Sequence, residues 1–591
     1  MNHDPLFYAI IGVYFVIMIA VGVVLKRLNR NSSDYFRSGC RATWWLTGVA
    51  GFMSSFSVWT FTGMADLTYN HGGSALLISS GLLAALVANA LVLGPWFRQL
   101  RAVTFAEVLE QRFGTATQQY YAWLSVLNQT VFCAVRLYSM AVFMIVVFKL
   151  NLMPTVVAVG VITVVYAAIG GSWAVMSNSF LQGMILVPVT IAVAILSLAE
   201  IGGVGPLFVA IREHGLQADY ALIKPGGFDA ELGWGWALAL FLQAFVGGTS
   251  LFSAVNYFKV KDGREARRLA VLQAVLTVAG AVLFMIPPLV ARFLHADAVE
   301  AAGLSRPGEA AYAVAGMSVL PSSMFALVVV TMIAVTMSSL NNQLNANAAV
   351  LVRDIVPLLR RKLGWKPFSE RGELVVSQIA TAVMGASFVG LACFFAREGG
   401  PSLFAAMFDV IALVAVPLYV PLCLMTFIRK VPSWTAMASV GAGLAGSLCG
   451  FFSRELFGAP WSYQVKVVVN LGAGIAAYLL CALFWRLGDP AYRSRVAAFY
   501  ERMLRPVDFA AEVGPGNDRT QFRTIGVFSV LIGGLICLLA FVSGSARERW
   551  VTGAIGGFNL LFGWLFLALS RRRLPEEGRA GEPFNSCTTQ K

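Results

Sequence analysis

The sequence predicts an all-α polytopic membrane protein with about fifteen transmembrane helices, ten of them forming an inverted five-helix repeat. Three observations carry this prediction: an apolar composition, stretches of spanning length along nearly the whole chain, and two stretches interrupted by glycine and hydroxyl residues at matching places. Of 591 residues, 58% are hydrophobic and 13% charged, and the mean hydropathy is +0.73. Soluble domains carry about a quarter charged residues, so roughly half the usual charge is missing and the bilayer is the solvent.

A helix crosses a bilayer with about 20 predominantly apolar residues. Such stretches run near 5–25, 44–69, 74–97, 120–148, 155–170, 180–200, 233–258, 269–291, 321–352, 374–396, 403–428, 434–453, 464–485, 524–543 and 550–570. The net charge of +14 could suggest an anionic partner, but in a membrane protein the position of each Lys and Arg carries the information. With the N-terminus placed outside, the segments predicted to be cytoplasmic hold thirty-three of the 44 and the outer ones nine, with Arg136 and Lys466 inside spans. This bias predicts a multi-pass inner-membrane protein with its C-terminus in the cytoplasm. No basic region precedes the first span, so no cleaved signal peptide is expected.

Span 2 carries Gly48, Gly51 and Gly63 with Ser54, Ser55, Ser57, Thr60 and Thr62 near its middle. Span 7, five spans later, repeats the feature with Gly247, Gly248, Thr249 and Ser250. Small and hydroxyl residues also serve tight helix packing. Paired interruptions in two halves, however, point to an inverted-repeat secondary transporter, whose unwound backbone offers carbonyls to a cation and helix ends to a solute. Spans 2–6 and 7–11 form the two repeats; each has an odd number of spans, so the second enters the membrane in the opposite sense. The domain expectation is 1–43 peripheral, 44–428 a transport core with repeats over about 44–200 and 233–428, and 429–591 additional helices and tail. Arg571, Arg572 and Arg573 form a stop-transfer flank near anionic membrane lipid.

Span 9 holds Val335-Thr336-Met337-Ser338-Ser339-Leu340-Asn341-Asn342-Gln343-Leu344-Asn345. No lipid-facing helix reads this way. Sodium is a hard cation satisfied by oxygen donors, and Ser338 and Ser339 fit that need; an interhelical hydrogen-bond seam would use the same residues. Arg136 in span 4 and Asp409 in span 11 are expensive in hydrocarbon and should face the bundle interior. They could pair with each other, contact a solute, or, for Asp409, couple to protons. An arginine could clamp a carboxylate with two parallel hydrogen bonds. The eight cysteines and four histidines form no metal or redox motif, so enzyme chemistry at a cofactor is not expected.

Four segments together resemble the sodium:solute symporter family, the sodium-coupled glucose and proline transporter group built on the leucine-transporter fold. They are Asp34-Tyr35-Phe36-Arg37-Ser38-Gly39-Cys40-Arg41 with Trp44-Trp45; Thr104-Phe105-Ala106-Glu107-Val108-Leu109 with Arg112-Phe113-Gly114; Gly170-Gly171-Ser172-Trp173-Ala174-Val175; and Met337-Ser338-Ser339 with Gln343-Leu344 and Asp354-Ile355. The resemblance covers about residues 5–485. It implies a sodium-coupled symporter, not an enzyme, that imports a small solute, with no nucleic-acid partner and the oligomeric state open. Carried over by motif position, Na+ would be held by carbonyls of Met53, Phe56 and Val335 and hydroxyls of Ser338 and Ser339. Ser55 stands where proline-transporting members carry an aspartate. Thr60, Ser79, Phe252, Asp409 and Arg136 are the candidate solute contacts; Thr60 and Ser79 replace the amide and carboxylate of sugar-transporting members. A membrane sensor built on the same core and a proton-coupled carrier are the alternatives.

Overall fold

The computed structural model describes residues 9–571 apart from scattered positions before 38 and gaps that include 56–57, 303–305, 365–369 and 398–410. Phe56 and Asp409 therefore lie outside the described residues, as does most of the first predicted span. Among the described residues nine helices are long and apolar enough to cross a membrane, and three shorter apolar helices accompany them.

Span 2 is interrupted at Thr62, a turn residue between α2 (Val58–Phe61) and α3 (Gly63–His71); α1 (Trp44–Ser55) precedes them, with 56–57 outside the described residues. Ser54 and Ser55 bond back to the Ala50 and Gly51 carbonyls at 2.8 and 3.3 Å, the competition with the helical ladder expected of hydroxyls at a helix end. Helices α4 (Leu77–Ala88), α5 (Phe105–Phe113), α6 (Thr115–Phe148) and α7 (Leu152–Glu200) follow. The spans predicted at 155–170 and 180–200 are not separate helices: one helical run, α7, covers both, and within it Val175–Glu200 is long and apolar enough to cross a membrane.

The second interruption is equally visible. Helix α8 (Trp234–Thr249) stops at Ser250 and a 3-10 helix, Ser253–Lys259, replaces it. Its end is held by side chains: Ser250 Oγ donates to the Gly247 carbonyl at 2.7 Å, and Ser253 Oγ and Asn89 Nδ2 donate to the Gly248 carbonyl at 2.7 and 2.9 Å. Then come α9 (Gly263–Leu294), α10 (Ser322–Val350), α11 (Glu370–Phe395), α12 (Val416–Phe427), α13 (Thr435–Phe451) and α14 (Tyr463–Ala482). Residues of spans 2 and 7 line one cavity together with Asn342, Gln343 and Ala346 of α10, a helix whose apolar stretch is otherwise buried.

One end of the bundle is fastened by its loops. Thr104 caps α5, accepting from Glu107 N at 3.0 Å, while Glu107 returns to Val103 N at 2.8 Å, a reciprocal capping box. The Thr104 hydroxyl also donates to Asp354 in the π-turn after α10, at 3.2 Å, and Gln118 donates to the same carboxylate at 2.9 Å. Beneath this, α15 (Pro490–Leu504) covers the Arg112 guanidinium, which donates to the Tyr492 and Tyr500 hydroxyls at 2.6 and 3.1 Å and to the Arg429 carbonyl at 2.7 Å. The following loop is tied by Arg101 to Glu512 at 2.6 Å and by Lys261 to Asp518 at 2.8 Å, before α16 (Asp518–Val542) and α17 (Ala546–Arg571) pair along the bundle.

Candidate functional site

The polar run of α10 meets the C-terminal residues of α1. Ser339 Oγ donates to the Ser54 carbonyl at 3.3 Å, and Asn342 Nδ2 donates to Ser54 Oγ at 2.8 Å. Ser338 Oγ is hydrogen-bonded to Ser179 Oγ of α7. Met53, Val335, Ser338 and Ser339 are all buried, at 5% exposure or less. Of the four described residues predicted for sodium, Ser339 bonds to α1 and Ser338 to α7, Met53 precedes Ser54 in α1, and Val335 lies one turn before Ser339 in α10. Ser179 was not singled out from sequence. Its signal is the string Ser177-Asn178-Ser179 with Gln182 in the middle of an apolar helix, the same anomaly that marks α10.

Beside this junction lies a cavity of about 400 Å³, lined by Gly51, Ser54, Ser55, Gly247, Gly248 and Phe252 from spans 2 and 7, by Asn342, Asn345 and Asn347 from α10, and by Gln129 and Arg136 from α6. Its volume is in the range of small-molecule sites. It reaches Val103–Phe105 and Lys259, at the fastened end of the bundle. Gly51 leaves room for the ends of two cavity side chains: a Cβ would stand 2.0 Å from Gln273 Nε2 and 3.0 Å from Asn256 Nδ2, which would have to shift.

The predicted solute contacts divide. Arg136 and Phe252 line the cavity, Phe252 packed tilted against Phe105 at 4.4 Å and edge-on to Tyr419 at 5.5 Å between ring centroids. Thr60 is buried in α2, and Ser79 is half-buried one turn before Leu82, where α4 begins to line the cavity; neither reaches it. Next to Thr60 the core is closed by aromatic packing, with Phe61 edge-on to Phe284 and to Tyr312 at 5.0 Å each.

Solved structures share this fold, and sequence relatives cover most of the chain. The structure of a Na+-coupled sialic acid symporter, substrate-bound and outward-open, superposes with a TM-score of 0.68 over 82% of this chain and 99% of its own, at 18% identity. The nucleobase-cation-symport-1 transporter Mhp1 gives 0.51 over 79% and 99%, at 15% identity. In sequence, the sodium/mannose cotransporter of Bos taurus is 27% identical over 76% of this chain and 80% of its own length, and the sodium/sialic acid symporter of Aliivibrio fischeri 22% identical over 82% and 94%. The profile of the sodium:solute symporter family matches residues 35–443, across both broken helices and the polar run of α10, and the chain belongs to that family, with sodium as its coupling ion.

Proposed function

We propose that this chain imports a small polar organic solute by alternating access, with sodium held between α1 and α10 and the solute in the adjoining cavity. The observation that supports this most is the chain of hydroxyl contacts from Ser179 of α7 to Ser338 and from the adjacent Ser339 to Ser54 of α1, which lines the cavity. Sodium would take the hydroxyls of Ser338 and Ser339 and the carbonyls of Met53, Val335 and, outside the described residues, Phe56. Weak neutral donors suit an ion that must also leave. Thr60 and Ser79 would contact solute only when the opposite face opens, and Asp409 is assigned to the same solute path by motif position.

The transport core is 44–428, its two five-helix repeats inverted and fifteen crossings in all, with 1–43 and 429–591 around it. The bias of Lys and Arg places the N-terminus outside, the C-terminus inside and the fastened loops in the cytoplasm. The cavity then faces inward, and the packing of Phe61, Phe284 and Tyr312 is the closed outer gate. Coupling requires that sodium bind the outward-facing state better; an ion indifferent to state shifts nothing. Each net charge carried inward across 100 mV gains about 2.3 kcal/mol. Uptake into proteoliposomes under an inward sodium gradient, compared with matched potassium, tests this: accumulation only with sodium is expected, and equal accumulation in both would overturn it.

A further inference from the structure

Among the described residues lining the cavity, two are cations, Arg136 and Lys259, and none is an anion. Arg136 lies deep in α6, two turns from Gln129, which lines the same cavity. Its Nε and Nη1 are buried and bond to nothing, and among the described residues no carboxylate pairs with it. Lys259, 6% exposed at the end of the 3-10 helix, likewise has no carboxylate partner among them. An arginine in hydrocarbon costs about 2.5–3.5 kcal/mol on insertion scales. Arg112, also buried, is satisfied by three acceptors. Arg136 keeps two unpartnered donors and lines the cavity.

The neutral wall points the same way. Asn345 lines the cavity with both amide atoms buried and unpartnered, and Asn347 with its Nδ2 unpartnered. Such amides donate and accept, and they match hydroxyl or amide groups of a solute body.

We propose that the transported solute is a small organic anion, its carboxylate clamped by the Arg136 fork and its polar body bonded by Asn345 and Asn347. The proposal rests on the symport reading above and adds the solute class. A planar carboxylate accepts two parallel N–H bonds from a guanidinium, which an ammonium cannot reproduce. Charge counting follows: one sodium with a monoanion moves no net charge, whereas two sodiums move one.

The test is thermal stability of the purified full-length protein in sodium and in matched potassium, against paired probes. The pairs are glucuronate with glucose, gluconate with glucitol, lactate with propane-1,2-diol, N-acetylneuraminate with N-acetylmannosamine, and glutamate with glutamine. At least one acid should stabilise in sodium while its neutral partner does not. Arg136→Gln should raise the half-saturating concentration of that acid tenfold or more and Arg136→Lys by less, while both keep the shift given by sodium alone. Silence of every acid, stabilisation by neutral members, or an Arg136→Gln response equal to wild type overturns the proposal. If Arg136→Gln does not fold, the comparison of acid with neutral partner in the wild type decides. An acid response equal in sodium and potassium would overturn the symport reading and leave the clamp; a neutral solute that requires sodium would do the reverse.

Discussion

Asn342 donates from Nδ2 to the Ser54 hydroxyl at 2.8 Å, joining two helices whose bonded residues are 288 positions apart. With the Ser339 bond to the Ser54 carbonyl, it brings two donors from α10 onto one residue at the end of α1. The proposed sodium site and the C-terminal residues of α1 are therefore linked through Ser54.

Ser338→Ala combined with Ser339→Ala removes two hydroxyl oxygens from this junction. A hydrogen-bond or donor contact to a charged group contributes roughly 1.5–3 kcal/mol, so sodium affinity should fall by on the order of tenfold or more. The sodium dependence of the thermal midpoint measures it, with Ser318→Ala, whose hydroxyl bonds only to the Val314 carbonyl of its own helix, as the control.

Phe252 fills the space between Phe105 and Tyr419, at the end of the cavity reached by Lys259. Phe252→Ala is expected to lower steady-state accumulation more than initial uptake, because solute already inside gains an easier return path. Efflux from preloaded proteoliposomes should accelerate severalfold; unchanged efflux would mean that this aromatic layer is not a barrier.

At Gly81 a Cβ would stand 2.2 Å from the Phe241 carbonyl oxygen, where α4 crosses α8. Backbone cannot swing aside as a side chain can. Gly81→Ala should destabilise by about 1–3 kcal/mol, the usual cost of overpacking. Gly472→Ala, with nothing within 4 Å, should be neutral or stabilising by up to about 1 kcal/mol. Thermal midpoints of the two variants in the same detergent give the comparison.

Glu309, buried in the turn Pro307–Ala310, is pushed up to about 7, first by burial and then by Asp66 beside it, with Arg306 opposing. The folded state thus holds this proton after the unfolded state has lost it, and stability falls as pH rises from about 4.5 to about 7. Glu309→Gln removes that loss. Its thermal midpoint should match wild type near pH 4.5 and exceed it above pH 7; parallel pH profiles would assign the slope to other groups.

The spans were legible because bilayer thickness sets a length that apolar residues must fill, and the breaks because glycine and hydroxyl clusters are anomalous there. Ser338 and Ser339 stood out for the same reason. Lys259 did not: in sequence it opens a basic flank, and only the 3-10 turn after Ser250 carries it into the cavity wall. Thr104 and Asp354 were recognisable in separate motifs, but their hydrogen bond spans 250 positions. Periodicity describes one helix at a time and leaves such pairings unseen.

The part of the chain that can be recognised is not the part that can stand alone. The family match ends at residue 443, yet Arg112, inside it and fully buried, is roofed by Tyr492 and Tyr500 beyond it. A shortened protein ending at that boundary would strip the cation of two of its three acceptors, so the smallest viable version of this carrier must retain the helix at 490–504.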